Sequence, residues 1–125
     1  MKYMMFIKHS EADRALPIPA GLLAAMGEFV TASFKSGILL DTAGLKPSAE
    51  GARVRLSRGK LTVADGPFTE AKELVGGYAL VQVKSKEEAL DMARSFMDLH
   101  RVHWPEFEGE CELRPLEDYD PPPTA

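Results

Sequence analysis

The sequence predicts a single α+β domain in which an antiparallel sheet carries two helices on one face. Strand-like and helix-like patterns follow one another in the order β-α-β, a hairpin, then β-α-β. Two segments repeat apolar residues at helical spacing, and the strand segments alternate. The chain has 125 residues, 45% of them hydrophobic, which suffices for one domain with its own core. We expect that domain to span residues 1–116, followed by a flexible, proline-rich tail over residues 117–125.

The first half of the chain contains a strand, a helix and a short strand. Residues 3–8 are apolar at nearly every position, which predicts a strand that is covered on both faces. Helical spacing begins at Ala20 and stops at Gly37, a residue type suited to ending a helix. Residues 38–41 predict a short strand, and residues 42–47 predict a turn-rich connection.

A hairpin follows in the middle of the chain. Residues 52–56 and 60–63 alternate between apolar and polar side chains, as paired strands do. Residues 57–59 supply the turn, in which Gly59 can adopt positive φ. Beyond the hairpin, residues 69–74 predict at most one or two helical turns.

The second half repeats the strand, helix and strand pattern. Residues 78–84 predict a strand. Ser85 and Glu88 form a capping box, which predicts that a helix starts there. Residues 101–109 predict a loop, and residues 110–116 predict the last strand.

A sheet with both helices on one face leaves its other face bare. The predicted strands nevertheless carry apolar residues on both faces. Met4 and Phe6 lie on the second face of the first strand, and Tyr78 and Leu80 lie on the second face of the strand over residues 78–84. Apolar residues on a bare face indicate an interface. We therefore expect a symmetric homodimer.

Composition excludes several classes of partner. The chain has 15 basic and 19 acidic residues, a net charge of −4, which disfavours nucleic acid. The longest apolar stretch, residues 16–34, is interrupted by prolines, glycines and Glu28, so we expect no membrane span. The apolar run near the N-terminus is too short for a signal peptide, which predicts a cytoplasmic protein. Cys111 is the single cysteine, which excludes an internal disulfide framework and predicts a buried, unreactive thiol.

Residues 65–78, with the sequence DGPFTEAKELVGGY, resemble the DGPF signature of the YCII-related family. Shorter similarities follow in order: the opening Met-Lys-Tyr-Met, Gly-Leu-Lys-Pro at residues 44–47, and Glu-Leu-Arg-Pro at residues 112–115. The resemblance spans nearly the whole chain. It implies a ferredoxin-like fold that pairs into a dimeric α+β barrel.

The resemblance also implies two kinds of function. Many family members resemble accessory proteins found beside extracytoplasmic-function sigma factors. The wider barrel superfamily includes small enzymes that act on aromatic-derived lactones and polycyclic substrates, which implies a small-molecule cavity. In another branch of the family, a histidine on the first helix and a nearby aspartate form a proposed catalytic pair. The present chain departs from that pattern, since residues 20–36 contain no histidine.

The DGPF turn contributes two candidate site residues. Asp65 can serve as a general base at a cavity mouth, with Phe68 as an apolar wall for substrate. The same residues also make a good structural turn, because Asp bonds a downstream amide and Gly-Pro fixes the backbone. The two interpretations are compatible, since rigid loops often present site residues.

Three further candidates lie on the terminal strands. His9 ends the first strand in register with Tyr3, so both can face a cavity, His9 as a second catalytic base and Tyr3 as a substrate contact. His9 can equally be an ordinary strand-end histidine. Arg114 can bind a substrate carboxylate in bidentate fashion or pair with a glutamate. We expect no metal site, because His9, His100 and His103 lack ligand spacing.

Two functional hypotheses follow. The first is a small cofactor-free enzyme in which Asp65 or His9 moves a proton during isomerisation, elimination or hydrolysis of a small organic acid. The second is a non-catalytic small-molecule-binding or regulatory module associated with sigma-factor systems, which needs only an apolar pocket.

Overall fold

The computed structural model describes residues 1–10, 16–71 and 73–117. The predicted tail therefore lies outside the described residues, apart from Glu117. In chain order the elements are β1 (Lys2–His9), α1 (Ala20–Lys35), β2 (Leu39–Gly44), a 3-10 turn (Ser48–Glu50), β3 (Ala52–Ser57), β4 (Lys60–Asp65), β5 (Leu74–Gln82), α2 (Lys86–His103) and β6 (Gly109–Pro115).

The main sheet has four antiparallel strands in the order β2-β5-β1-β6. Both helices cover one side of it, so the predicted ferredoxin-like α+β fold is confirmed. We call the face under the helices the inner face and the opposite one the outer face. Because side chains alternate along a strand, Tyr3 and Met5 point inward while Met4 and Phe6 point outward.

The core lies between the inner face and α2. Tyr3 and Met5 of β1 and Val81 of β5 pack there with Ala89 and Ala93 of α2. The small alanines let the helix lie close to the central strands, and Val81 is completely buried as a result. This packing fixes the helix over the two strands that form the middle of the sheet.

Local signals that the sequence predicts fix the end of α1 and the start of α2. Gly37 adopts a φ of +82° just after α1, a conformation that glycine takes readily. At the start of α2 the Ser85 hydroxyl accepts a hydrogen bond from the Glu88 amide at 3.1 Å, as the capping box predicts. The loop expected from residue 101 was wrong, because α2 continues to His103.

Strand pairing overrides the turn-rich composition at two places. Residues 69–74 do not form the expected helical turns in the part of the chain that is described: a turn lies at residues 69–70 and Leu74 already begins β5. His9 pairs with Leu74 there. The β2 strand likewise continues to Gly44, and the Thr42 hydroxyl donates to the Tyr78 carbonyl at 2.8 Å.

The predicted hairpin is confirmed and forms a separate two-stranded sheet, β3-β4. Arg58 and Gly59 both have positive φ, 51° and 78°, which is the backbone of a type I′ hairpin turn. Val54 pairs with Val63, and Leu56 pairs with Leu61. We call residues 52–65 the hairpin arm.

Candidate functional site

A cavity of about 340 Å³ lies between the inner face of the sheet and the helices. Its walls come from β1, β2, β5, β6, both helices and the segments just before α1 and just after α2. Most of the lining is apolar or aromatic, including Met5, Leu22, Met26, Phe29, Met92, Phe96, Trp104 and Phe107. None of the described lining residues is Asp, Glu, Lys or Arg. An apolar hollow of this kind can bury most of the surface of a small apolar ligand away from water.

Few residues with polar side chains line this cavity. They are His9, Thr42, His100 and Cys111, together with Tyr78, which by its register with Phe6 directs its own side chain to the outer face. The hydrogen bonds of Thr42 to Tyr78 and of Tyr78 to Asp41 occupy two of these hydroxyls within the protein. The histidines and the thiol therefore define the chemistry that the cavity offers.

His9 is buried at the end of β1, with 7% of its surface exposed. Its Nδ1 lies 2.7 Å from the Ser10 carbonyl oxygen. A carbonyl only accepts, so Nδ1 carries the proton and Nε2 of the neutral ring carries a lone pair. This Nε2 atom is buried and has no hydrogen-bond partner among the residues that the structure describes. A buried acceptor without a partner costs free energy unless a ligand or water satisfies it.

Gly76 creates the space that the His9 ring occupies. A Cβ atom at Gly76 would overlap Nε2 and Cδ2 of that ring. The absence of a side chain at this position of β5 is therefore required by the close approach of the imidazole.

His100 is the second histidine of the cavity, on the last turns of α2. Its Nδ1 lies 3.1 Å from the Phe96 carbonyl oxygen, so Nδ1 is again the donor. The ring lies between the Phe96 and Phe107 rings, with centroids at 5.0 and 4.8 Å. Burial lowers the pKa of His100 below its ordinary value. The ring is therefore neutral at neutral pH.

Cys111 lines the cavity from β6. The thiol is partly buried, and burial raises its pKa to about 11. It is protonated at neutral pH and is a poor nucleophile there, which agrees with the prediction of an unreactive thiol.

A second, more open hollow of about 620 Å³ also has His9 in its wall. Phe68 of the DGPF turn, Arg53 and Lys46 line it as well. The Arg53 guanidinium carbon lies 3.8 Å from the Phe68 ring centroid, and Arg53 Nη1 lies 2.9 Å from Glu70 Oε1. Phe68 therefore forms an apolar part of the wall of this hollow, and the Arg53 guanidinium covers one face of its ring.

The structure separates the five residues that the sequence suggested for a site. His9 and Phe68 line the same open hollow. Asp65 is exposed at the end of β4, opposite Ala52, and lines neither hollow. Tyr3 is buried in the core and also lines neither. Arg114 pairs with Met4 in the register and so lies on the outer face, 3.4 Å from Glu112 Oε2.

The DGPF turn has a visible structural role. The Gly66 amide donates to the Gly51 carbonyl at 2.9 Å, and the Phe68 amide donates to the Ser48 hydroxyl at 3.1 Å. A Cβ atom at Gly66 would overlap the Ser48 carbonyl group. The turn thus joins the root of the hairpin arm to the 3-10 turn.

Sequence reasoning missed the roles of His100, Gly76 and Phe107 in the cavity. His100 lies on the apolar stripe of its helix, a position typical of a hydrogen-bonded histidine at a helix end, and its ring does bond the Phe96 carbonyl. Nothing in the sequence indicated that His9 approaches Gly76, because the two residues are 67 positions apart and meet only through strand pairing.

Across residues 1–10, 16–71 and 73–117, no group of three or more His, Cys, Asp or Glu side chains is arranged to hold a metal ion. None of the helices in those ranges is both long and apolar enough to cross a membrane.

The sheet order, the two helices on one face and the hollow between them define a ferredoxin-like α+β protein with an interior cavity. A family model described as the YCII-related domain matches residues 1–96, and the chain belongs to that family. The chain is also 38% identical over 87 residues to an uncharacterized protein of Rhizobium meliloti (strain 1021). That similarity covers 70% of this chain and 66% of the relative, just under two thirds of its length.

Proposed function

We propose that the interior cavity binds a small, neutral and largely apolar molecule that donates one hydrogen bond to His9 Nε2. The single observation that supports this proposal is the buried Nε2 lone pair, unpartnered among the described residues, at the wall of an apolar cavity. A ligand that carries a hydroxyl or an N–H group would satisfy that acceptor. The remaining contacts would be apolar and aromatic.

The lining determines the charge of the proposed ligand. A carboxylate would lose its hydration on entering and would find no cationic side chain among the described lining residues. Arg114, which was expected to bind such a group, lies on the other side of the sheet. We therefore replace the organic acid expected from the sequence with a neutral molecule. The volume of about 340 Å³ lies at the small end of ligand pockets.

Binding without catalysis is the first form of this proposal. It corresponds to the predicted small-molecule-binding or regulatory module, and an association with sigma-factor systems stays a prediction. A cofactor-free proton-transfer enzyme is the second candidate. It is favoured by one observation, that two histidines with their Nδ1 atoms bonded to carbonyls line one cavity. In that case His9 acts as the base without Asp65.

The test uses two probes that differ only in the hydrogen-bond donor, 2-naphthol and 2-methoxynaphthalene. The His9→Phe variant keeps an aromatic ring and removes the lone pair, and His103→Phe is the matched control outside the cavity. We expect His9→Phe to weaken 2-naphthol binding about threefold to tenfold, the value of one net hydrogen bond. Its effect on 2-methoxynaphthalene should be small. Equal losses for both probes, or no binding by the wild type, would contradict the proposal.

We also propose that the protein is a homodimer that pairs through the outer face. Met4 pairs with Leu80 and Phe6 with Tyr78 in the centre of that face, and all four side chains are only partly covered. At one edge Lys8 Nζ lies 2.6 Å from Glu112 Oε1, and this contact lowers the pKa of Glu112. An apolar centre with a charged rim is typical of a protein interface.

Sedimentation velocity tests this pairing. We expect the wild type to sediment as a dimer and Leu80→Glu to sediment as a folded monomer, because a carboxylate would be buried in the apolar centre. A monomeric wild type at micromolar concentration would contradict the homodimer. The cytoplasmic location and the domain range of residues 1–116 stay predictions.

A further inference from the structure

The hairpin arm carries an exposed apolar face that is not covered by the other residues that the structure describes. Four aliphatic side chains form two directly opposed pairs on that face: Val54 with Val63, and Leu56 with Leu61. Their exposed fractions are 68% and 71% for the valines and 69% and 70% for the leucines. An exposed cluster of this kind marks an interaction surface.

The arm is attached to the rest of the subunit at its root, and the remainder of the arm is exposed to solvent. At the root, the Gly66 amide donates to the Gly51 carbonyl at 2.9 Å, and Arg53 packs over Phe68. From residue 52 to residue 65 every position is exposed. An isolated two-stranded hairpin is marginally stable in water. Burial of the apolar face against another surface would therefore stabilise the arm.

The charges of the arm point to the surface on which it docks. Arg53, Arg55, Arg58 and Lys60 lie on the arm with a single carboxylate, Asp65, in a chain whose net charge is −4. The opposite charge is concentrated at residues 106–112, where Glu106, Glu108, Glu110 and Glu112 alternate.

The acidic segment runs along an edge of the main sheet. Strand β6 (Gly109–Pro115) is one of the two edge strands of that sheet, and Leu116, which follows it, has 41% of its surface exposed. The protein therefore carries a basic apolar arm and an acidic edge that has an exposed apolar residue at its end. The two surfaces are complementary in charge.

We propose that the hairpin arm of one subunit docks on the β6 edge of a second copy of this chain. The apolar face would pack against the edge near residue 116 of the second copy, and the cations at the tip of the arm, Arg58 and Lys60, would lie beside its residues 106–112. The inference rests on the proposed homodimer and goes beyond it, because it assigns the arm as a second contact between the subunits. It also gives the arm a role that is separate from the cavity.

The first experiment compares Leu61→Asp with Thr62→Asp by sedimentation velocity over a range of concentrations. Leu61 lies on the apolar face, while its neighbour Thr62 pairs with Arg55 on the opposite face of the arm. Both positions are exposed, so both variants should fold, which circular dichroism verifies. We expect Leu61→Asp to raise the dimer dissociation constant at least tenfold and Thr62→Asp to change it less than twofold.

The outcomes separate this inference from the homodimer itself. If Leu80→Glu abolishes the dimer while Leu61→Asp leaves its dissociation constant unchanged, the outer-face dimer stands and arm docking is wrong. If the wild type is monomeric, both fail. Binding of a short duplex DNA that is lost in Arg58→Glu, with an unchanged dimer, would also overturn the inference, because it would assign the basic arm to nucleic acid.

Zero-length carbodiimide cross-linking tests the direction of docking. Subunits labelled with ¹⁴N and ¹⁵N are mixed, so that mass spectrometry distinguishes links between subunits from links within one. We expect Lys60, at the tip of the arm, to be joined to the segment of residues 106–112 in mixed-isotope pairs. Links from Lys60 only within one subunit, or to other carboxylates only, would contradict the proposal.

Discussion

The inner layer, which is the inner face of the main sheet together with the two helices that cover it, and the hairpin arm contain similar aliphatic side chains in opposite environments. Val81 on the inner face is completely buried and Leu22 in α1 almost so, whereas Val63 and Leu61 on the arm are about 70% exposed. The residue types, valine and leucine, are the same in both regions. Position in the topology makes the difference, because β5 is central in a sheet covered by helices and β4 belongs to a hairpin whose apolar face none of the described residues covers. An apolar pattern therefore indicates a surface to be buried without saying which chain buries it.

The two regions also differ in how they use polar groups. On the arm, charged side chains are solvated or form exposed pairs such as Arg53 with Glu70, which contribute little to stability. Inside the cavity, two histidines each donate from Nδ1 to a backbone carbonyl. One of them, His9, retains a buried acceptor atom without a partner among the described residues. The arm is suited to association and the cavity to selective binding.

The largest expected contrast between the regions comes from truncating one leucine in each. Leu22→Ala removes a buried side chain and should lower the free energy of unfolding by about 2–5 kcal/mol. Leu61→Ala should change that of the isolated subunit by less than about 0.5 kcal/mol. Urea denaturation at several protein concentrations, extrapolated to low concentration, measures both. Similar losses of unfolding free energy in the two variants would contradict the claim that the two leucines lie in opposite environments.

Gly76→Ala tests whether the cavity wall is as tightly fitted as the structure indicates. The added methyl group overlaps the His9 ring, and overpacking of this kind costs about 1–3 kcal/mol. Gly27→Ala in α1 is the matched control, because nothing lies within 4 Å of its Cβ position and alanine favours a helix. We expect thermal denaturation to show a lower Tm for the first variant and an equal or higher Tm for the second. A Gly76→Ala protein as stable as the wild type would mean that His9 is not held against β5.

The Ser85 cap provides a smaller and strictly local effect within the inner layer. Ser85→Ala removes the acceptor for the Glu88 amide and should cost about 1 kcal/mol. Ser85→Asp, which keeps a capping oxygen, should retain most of the wild-type stability in the same urea titration. Equal losses from both substitutions would show that the hydroxyl does not stabilise α2.

His100 should make the stability of the inner layer depend on pH. Its folded pKa lies below the ordinary value of 6.5 because the ring is buried, so the unfolded chain binds a proton there before the folded chain does. The free energy of unfolding contributed by this group is therefore fully present above pH 6.5 and decreases as the pH falls below it. Comparing urea titrations between pH 5 and 8 should show a flatter profile for His100→Phe. An unchanged profile would contradict the assignment.

The parts of the fold that the sequence predicts correctly depend on neighbouring residues. The Ser85 cap, the positive φ of Gly37 and the hairpin turn at Gly59 each follow from a few adjacent positions, and the order of elements then gives the sheet topology. The start of β5 at Leu74 could not be predicted, because it depends on pairing with His9 from the other end of the domain. Local composition at Gly76 favours a turn, and tertiary pairing overrides it.

The candidate site was less predictable for the same reason. Alternation alone places His9 and Tyr3 on one face of the sheet. Only the packing of the helices determines that Tyr3 is buried in the core while His9 lines the cavity. Asp65 and Arg114 have suitable chemistry for a site, yet the hairpin and the sheet direct them elsewhere. Chemical type can be read from a sequence, whereas convergence requires the packing of distant segments.

The imidazole ¹⁵N resonances of His9, followed by NMR during a titration with 2-naphthol, test the central claim most directly. In the free protein we expect the neutral tautomer with the proton on Nδ1 and an unprotonated Nε2. On saturation the Nε2 resonance should shift in the direction of a hydrogen-bonded acceptor while Nδ1 changes little, and 2-methoxynaphthalene should not reproduce the shift. An Nε2 resonance that stays unchanged while 2-naphthol binds would show that His9 is not the acceptor in the cavity.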